Sequence, residues 1–103
     1  MINLIIYLKQ DYDPVLLVEK LLTCQLIANA SIDQNNESFT SKDGTLSREV
    51  YNVITAQTKA LLFTQIAKLI EDECGREVPI NATPIVASNK IFDELLRSRT
   101  LKT

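Results

Sequence analysis

The chain has 103 residues, of which 46% are hydrophobic, and its formal net charge is −2. This length suits a single domain spanning residues 1–103, and the mild acidity argues against nucleic acid or an anionic membrane as a partner. No apolar run approaches the ~20 residues of a membrane span, and residues 1–8 lack the basic leader and cleavage site of a signal peptide. We therefore expect a cytoplasmic protein whose cysteines are reduced and buried.

The first two elements are a strand and a helix. Residues 3–8 form a continuous apolar run, which is typical of a central strand buried on both faces. Asp13 followed by Pro14 predicts a helix start, with aspartate as the N-cap and proline at the first helical position. The helix is expected over residues 15–26, with Cys24 in core or boundary packing near its end. Its apolar face is predicted from helical spacing to comprise Val15, Val18, Leu21, Leu22 and Leu26.

A long hairpin over residues 28–57 is the strongest feature of the sequence. Asp43-Gly44 lies at its middle, and such a pair between strand-like runs favours a tight turn because both residues tolerate a positive φ. Each arm has about 12 residues against a typical strand of about 5–6, so the ribbon spans on the order of 40 Å. A globule of this size has a radius of gyration of only about 13 Å. We therefore expect the turn end to project and to pair with sister chains.

A second helix follows the hairpin. Thr58 is predicted to cap it, and Gly75 is a good residue for ending it. Its apolar stripe is expected to comprise Leu62, Ile66, Leu69 and Ile70.

The last two elements are a strand and a short helix. Residues 77–86 are extended, and Pro79 and Pro84 limit them to a sheet edge or to a strand with interrupted hydrogen bonding. Ser88 is predicted to cap a final helix over residues 89–96.

The predicted order is β-α-β-β-α-β with a C-terminal helix, which is the ferredoxin-like α+β arrangement. Right-handed crossovers place the two main helices on one face of a four-stranded antiparallel sheet. The other face is left uncovered, and this again favours self-association.

The sequence resembles the CutA family of divalent-ion tolerance proteins over nearly its whole length. The most specific match is Glu77-Val78-Pro79, which follows an amphipathic helix and leads into an apolar strand, as a similar Glu-Val-Pro does in the family. Three further stretches are similar to family segments: residues 26–32, Phe39 with Gly44, and Phe92 with Leu96. The resemblance implies a homotrimer assembled through the long hairpins, an assembly that CutA proteins share with PII signalling proteins.

The chain departs from the family at its candidate ligands. Asn29 stands where the family has a cysteine, and Cys74-Gly75-Arg76 replaces His-Pro-Tyr. There is no histidine in the chain. The metal ligands that remain are Cys74, Glu77 and Glu73, one thiol and two carboxylates, with copper or zinc as the ion that the resemblance implies.

A cleft between subunits is a second candidate site, by analogy with PII proteins. Its expected residues are Arg76, Glu77, Asn29 and Phe39, and its ligand would be a small anionic metabolite or nucleotide. Arg76 and Glu77 have an alternative role as an intersubunit ion pair.

Residues that could perform catalysis are not evident in the sequence. A histidine for a triad is missing, and only two glycines are available for a phosphate-binding loop. We therefore predict a non-enzymatic protein linked to divalent-ion tolerance or acting as a signalling scaffold, with a PII-like small-anion sensor as the alternative.

Overall fold

The strand β1 (Ile2–Lys9) lies at the centre of the protein, whose computed structural model describes residues 1–102. Its even-numbered residues, such as Leu4 and Ile6, are buried, whereas Asn3, Ile5 and Tyr7 are half-buried and Lys9 is exposed. The prediction of burial on both faces is therefore wrong for the single chain. The helices cover only one face of the sheet, so a fully apolar strand leaves Ile5 and Tyr7 partly exposed on the other.

The helix α1 (Pro14–Thr23) begins as its sequence predicts. The carboxylate of Asp13 accepts hydrogen bonds from the backbone N–H groups of Val15 and Leu16, at 3.0 and 3.4 Å. The helix ends three residues earlier than predicted, and Gln25 then adopts a φ of 56°. That turn carries Leu26 into the core from outside the helix.

Contact with the sheet confirms only part of the predicted apolar face of α1, since Leu21 is buried and Val18 packs against the core. Pro14, Leu17 and Leu21 are buried, while Val15 and Leu22 are exposed. Cys24 is also exposed, so the prediction that it packs in the core or at its boundary is wrong. It follows the last helical residue, where the chain turns at the surface.

The strands β2 (Asn29–Lys42) and β3 (Thr45–Thr58) form the predicted hairpin, with 14 residues in each arm. Asp43 and Gly44 have φ values of 53° and 79°, which confirms the turn. A bulge interrupts the register between Asp33 and Asn36. There the backbone N–H of Asn35 donates to the side-chain oxygen of Asn52, at 3.3 Å. The molecule measures 47 Å in its longest dimension against 28 Å in the next, because the ribbon projects.

The helix α2 (Phe63–Cys74) follows a short 3₁₀ turn (Ala60–Leu62) instead of starting at Thr58. Thr58 is the last residue of β3, fully buried, and its hydroxyl donates to the carbonyl oxygen of Leu26 at 2.5 Å. The predicted cap is therefore wrong, because tertiary contacts use that hydroxyl elsewhere. Gly75 does follow the helix, with a φ of 87°.

Within residues 1–102, the strand β4 (Ile80–Pro84) pairs only with β1, which confirms an edge strand that is shorter than the predicted 77–86. The helix α3 (Lys90–Arg99) is capped by Asn89 and not by Ser88. The side-chain oxygen of Asn89 accepts from the backbone N–H of Phe92 at 2.9 Å. Both residues are good caps, and the local backbone decides between them.

The sheet order is β2-β3-β1-β4, and every neighbouring pair is antiparallel. The core lies between the sheet and the pair α1 and α2, so the ferredoxin-like prediction is confirmed. Across residues 1–102, every helix is too short or too polar to span a bilayer. The largest fully buried side chains include Leu4, Ile6, Leu8, Leu21, Ile54, Leu62, Ile66, Ile70 and Leu96.

Candidate functional site

A groove of about 260 Å³ opens where β1 ends and the chain enters β4. Gly75 lines the groove and follows α2 in a conformation, φ 87° and ψ 178°, that residues other than glycine rarely adopt. The backbone N–H of Tyr7 then donates to the carbonyl oxygen of Pro79 at 3.0 Å, which ties the loop to β1. The groove is lined by Tyr7, Lys9, Tyr12, Cys74, Gly75, Arg76, Glu77 and Val78.

The groove carries two cations and one carboxylate. The guanidinium Nε of Arg76 lies 3.1 Å from Oε1 of Glu71, and this ion pair is largely exposed. Lys9 and Glu77 form no ion pair among residues 1–102. With two tyrosine rings beside these charges, the groove can hold a small anion that has a planar or apolar part.

Cys74 lines this groove and is buried, with 8% of the residue exposed. Burial raises the pKa of the Cys74 thiol, the carboxylate of Glu73 raises it further, and the ammonium of Lys20 partly opposes them. The protonated thiol therefore dominates at neutral pH. A metal ion would have to displace that proton before Cys74 could bind it.

Glu73 points into a neighbouring furrow, which Cys74 also lines. Its Oε2 lies 2.6 Å from Nζ of Lys20, in a half-exposed ion pair. The structure thus brings Cys74 and Glu77 into one groove and places Glu73 beside it. Within the described part of the chain, no group of three or more His, Cys, Asp or Glu is arranged to hold a metal ion.

Asn29 and Phe39 do not join the groove within one subunit. Asn29 lies opposite Gln57, which in turn lies opposite Asn3 at the start of β1. The groove is at the other end of that strand, about 20 Å away at about 3.3 Å per residue. Phe39 lies opposite Arg48 on the projecting part of the hairpin and is 54% exposed. The predicted cleft residues therefore occupy three separate places on one chain.

Sequence reasoning missed three residues that line the groove: Tyr7, Lys9 and Tyr12. The sequence did contain a signal for this part of the groove, because Lys9 is the first charged residue after a continuous apolar strand. In a ferredoxin-like sheet, the end of the first strand lies beside the start of the last one. Polar residues there were candidates for a shared site with Arg76 and Glu77.

The uncovered face of the sheet is aromatic next to the groove. The rings of Tyr7 and Tyr51 meet edge to face, with centroids 5.9 Å apart and an interplanar angle of 76°. The hydroxyl of Tyr51 donates to the carboxylate of Glu49. This hydrogen bond, with smaller contributions from desolvation and from the charge of Glu49, raises the pKa of Tyr51.

The protein has one four-stranded antiparallel sheet, with α1 and α2 on one face and a long β2–β3 hairpin. These features define a ferredoxin-like protein with an extended ribbon. No family model matches the sequence, and no curated protein matches it either. Solved structures do match, and they are structures of CutA1 proteins. The chain therefore has the CutA1 fold.

Three such structures illustrate the similarity. CutA1 from Pyrococcus horikoshii is 17% identical, with a TM-score of 0.86 over 99% of this chain and 100% of that one. The divalent cation tolerance protein (Cut A1) from Thermus thermophilus is 17% identical, with a TM-score of 0.84 over 97% and 99%. The periplasmic divalent cation tolerance protein CutA from Archaeoglobus fulgidus is 19% identical, with a TM-score of 0.82 over 96% and 98%. The sequence resemblance to CutA is thus confirmed at the level of the fold, in a divergent chain.

Proposed function

We propose that this chain is a non-enzymatic CutA-type protein that acts as a homotrimer in divalent-cation tolerance. The observation that carries the proposal is the match to CutA1 structures over nearly the full length of both chains. The hairpin, which is the least compact part of the molecule, is included in that match. Two of the similar proteins are named for divalent cation tolerance.

Unpartnered surface supports the trimer. Phe39 and Leu46 are 54% and 70% exposed on the projecting ribbon, and the face of β1 that carries Ile5 has no helix over it. A lone two-stranded ribbon is marginal in water, so a partner surface would stabilise it. Sister subunits are the simplest source of that surface.

Sedimentation at micromolar concentration tests the trimer. The chain should sediment as a trimer, and the double variant Phe39→Ser, Leu46→Ser should shift towards the monomer. Leu61→Ser is the control, because Leu61 is 74% exposed, at least as much as Phe39 and Leu46, but lies beside α2, away from the ribbon. A monomeric parent protein, or a shift in the control alone, would contradict the proposal.

We propose Cys74 and Glu77, with Glu73 beside them, as the protein's contribution to a divalent-ion site. One chain offers fewer ligands than the usual three or four, so the site would be completed at a subunit boundary. Native mass spectrometry with added copper or zinc should report bound ions and subunit number together. Binding should fall in Cys74→Ser and persist in Cys24→Ser, whose thiol is exposed and remote from the groove. Equal loss in both variants would rule out this site.

A small-anion sensor is the second candidate function, and the groove favours it. Lys9 and Arg76 flank a pocket that also has aromatic walls. A thermal-shift screen of small carboxylates, phosphates and nucleotides should give a stabilising ligand whose effect disappears in Arg76→Ala. Arg99→Ala is the control, since Arg99 lies in the last turn of α3. A complete screen without a stabilising ligand would remove this candidate.

A cytoplasmic location is part of the proposal. Cys24 and Cys74 are both free, as is usual in a reducing compartment. The Archaeoglobus fulgidus relative is named periplasmic, so the compartment needs its own measurement. Cell fractionation with an antibody against this chain would decide it.

A further inference from the structure

The surface of α1 that faces away from the core is unusually apolar. Val15, Leu16 and Leu22 are between 42% and 52% exposed, although Leu17 and Leu21 already supply the buried face. Tyr12 continues the stripe before the helix begins, with 38% exposed. Single exposed apolar residues need no explanation, but a row at helical spacing indicates a contact surface.

A furrow between α1 and α2 borders this stripe, and Tyr12 and Leu16 belong to both. One depression contains Tyr12 and Cys74, and a second one contains Cys24 and Leu69. Both share Leu16, Lys20 and Glu73, so they are two halves of one furrow. The furrow follows the ten residues of α1 and is therefore about 15 Å long, which is about three turns of helix.

The charge of the furrow is negative. Asp13, Glu19 and Glu73 line it, against the single cation Lys20. Lys20 is already held by Glu73 at 2.6 Å, so no free cation offsets Asp13 and Glu19 within the described lining. An apolar floor with acidic rims complements a helix that has an apolar stripe and basic flanks.

We propose that this furrow, defined by Leu16, Glu19, Lys20 and Glu73, docks a basic amphipathic helix of about three turns from a partner protein. Leu16 would fill the centre of the contact, and Glu19 would pair with a cation of the incoming helix. The surface lies on the helical face, opposite the sheet face and apart from the ribbon that the proposed trimer uses. Docking is therefore compatible with assembly, whereas the furrow adjoins the groove, because Tyr12 and Cys74 line both and Glu73 also belongs to the proposed divalent-ion site.

A second copy of this chain is a poorer occupant. The helix α3 also has exposed apolar residues, Ile91 and Leu95. Two of its three cations, Lys90 and Arg97, are, however, already paired with Glu94 and Asp93 on the same helix, at 3.8 and 2.9 Å, which leaves Arg99. It therefore offers less positive charge to the acidic rims than a dedicated basic helix would.

The test uses a synthetic helical peptide of about four turns with leucines at i, i+3, i+4 and i+7 and lysines on both flanks. A peptide of the same composition with its leucines scrambled and a second peptide with glutamate in place of lysine are the controls. Fluorescence anisotropy should show binding of the first peptide alone, and amide chemical shifts should move along α1 and the second half of α2. Affinity should fall as salt is raised, because rim charges contribute.

Variants of the protein locate the contact. Leu16→Glu should weaken binding by about tenfold or more, as expected for a central interface anchor, and Glu19→Lys by a smaller factor. Leu61→Glu is the matched control and should leave the affinity unchanged. Circular dichroism should show all three variants folded, since each changed residue is exposed or half-buried.

Three results would overturn the proposal. The first is equal binding of the scrambled or glutamate peptide. The second is an unchanged affinity in Leu16→Glu. The third is a loss of self-association in Leu16→Glu, measured by sedimentation, which would assign the furrow to a second copy of this chain.

Discussion

The two halves of β3 share one regular backbone but have very different surroundings. From Asn52 to Thr58 the strand lies against β1, and Ile54 and Ala56 are fully buried. From Thr45 to Glu49 every residue is exposed, including Leu46 at 70%. The hydrogen-bonded pairing with β2 nevertheless continues to the turn, where Lys42 lies opposite Thr45.

This contrast separates the formation of a strand from its stabilisation. Pairing, alternation and the Asp43-Gly44 turn are enough to define the ribbon, and they do so equally in both halves. Only the inner half gains free energy from burial of apolar side chains. The outer half depends on its cross-strand pairs, such as Arg48 with Glu37, and on the subunit contact that we propose.

The largest expected effect is loss of core packing in the inner half. Ile54→Ala should lower the free energy of unfolding by roughly 2–5 kcal/mol, because it removes a fully buried side chain and leaves a cavity. Leu46→Ala in the outer half should cost less than about 0.5 kcal/mol in the subunit itself. Urea unfolding at several protein concentrations would check this, since an effect on assembly depends on concentration and an effect on the subunit does not. Similar losses of unfolding free energy in the two variants would contradict the proposed difference between the two halves.

The turn gives a smaller effect that is confined to the outer half. Gly44 has a φ of 79° and nothing within 4 Å of an added Cβ, so Gly44→Ala should cost roughly 1–2 kcal/mol through backbone conformation alone. Amide hydrogen exchange should increase near the tip and remain slow near Ile54. Asp43→Asn is a matched control, since asparagine also tolerates a positive φ. If exchange rose evenly along the whole ribbon, the two halves would be one cooperative unit.

The ion pair near the tip should contribute least at neutral pH. Arg48 and Glu37 have side chains that are 56% and 50% exposed, and exposed pairs contribute about 0–1 kcal/mol. A double-mutant cycle of Arg48→Ala and Glu37→Ala should give a coupling in that range, decreasing with added salt. A coupling well above it would mean that the pair is shielded from water, as it would be inside an interface.

The base of the fold should show a dependence on alkaline pH through Cys74, separate from that of Tyr51 in β3. The folded-state pKa of Cys74 is raised from its ordinary value of 9.0, chiefly by burial. Its contribution to stability is fully present below the unfolded-state pKa and is lost as pH rises through the folded-state pKa. The free energy of unfolding should therefore fall more steeply above pH 9.0 in the parent protein than in Cys74→Ala. Equal slopes, after the tyrosines are accounted for by a Tyr51→Phe variant, would contradict this assignment.

Local sequence determined the elements and their order. The Asp13-Pro14 start, the Asp43-Gly44 turn and Gly75 after α2 each depend on backbone preferences within a few residues, and the structure confirms all three. Pro79 and Pro84 limited the last strand to a sheet edge or to interrupted hydrogen bonding, and the structure places β4 at the edge. From these features the ferredoxin-like fold could be predicted almost completely.

Only tertiary structure decided which residues of each element meet. Val15 and Leu22 were as apolar as Leu17 and Leu21, yet the orientation of α1 on the sheet left them in the solvent. Thr58 was a suitable cap, but its hydroxyl bonds to the carbonyl of Leu26, 32 positions earlier in the chain. The groove likewise brings Lys9, at the end of β1, together with Arg76, in the loop between α2 and β4. Turns and caps depend on neighbouring residues in the chain. These contacts depend instead on the packing of distant segments, which local backbone preference does not encode.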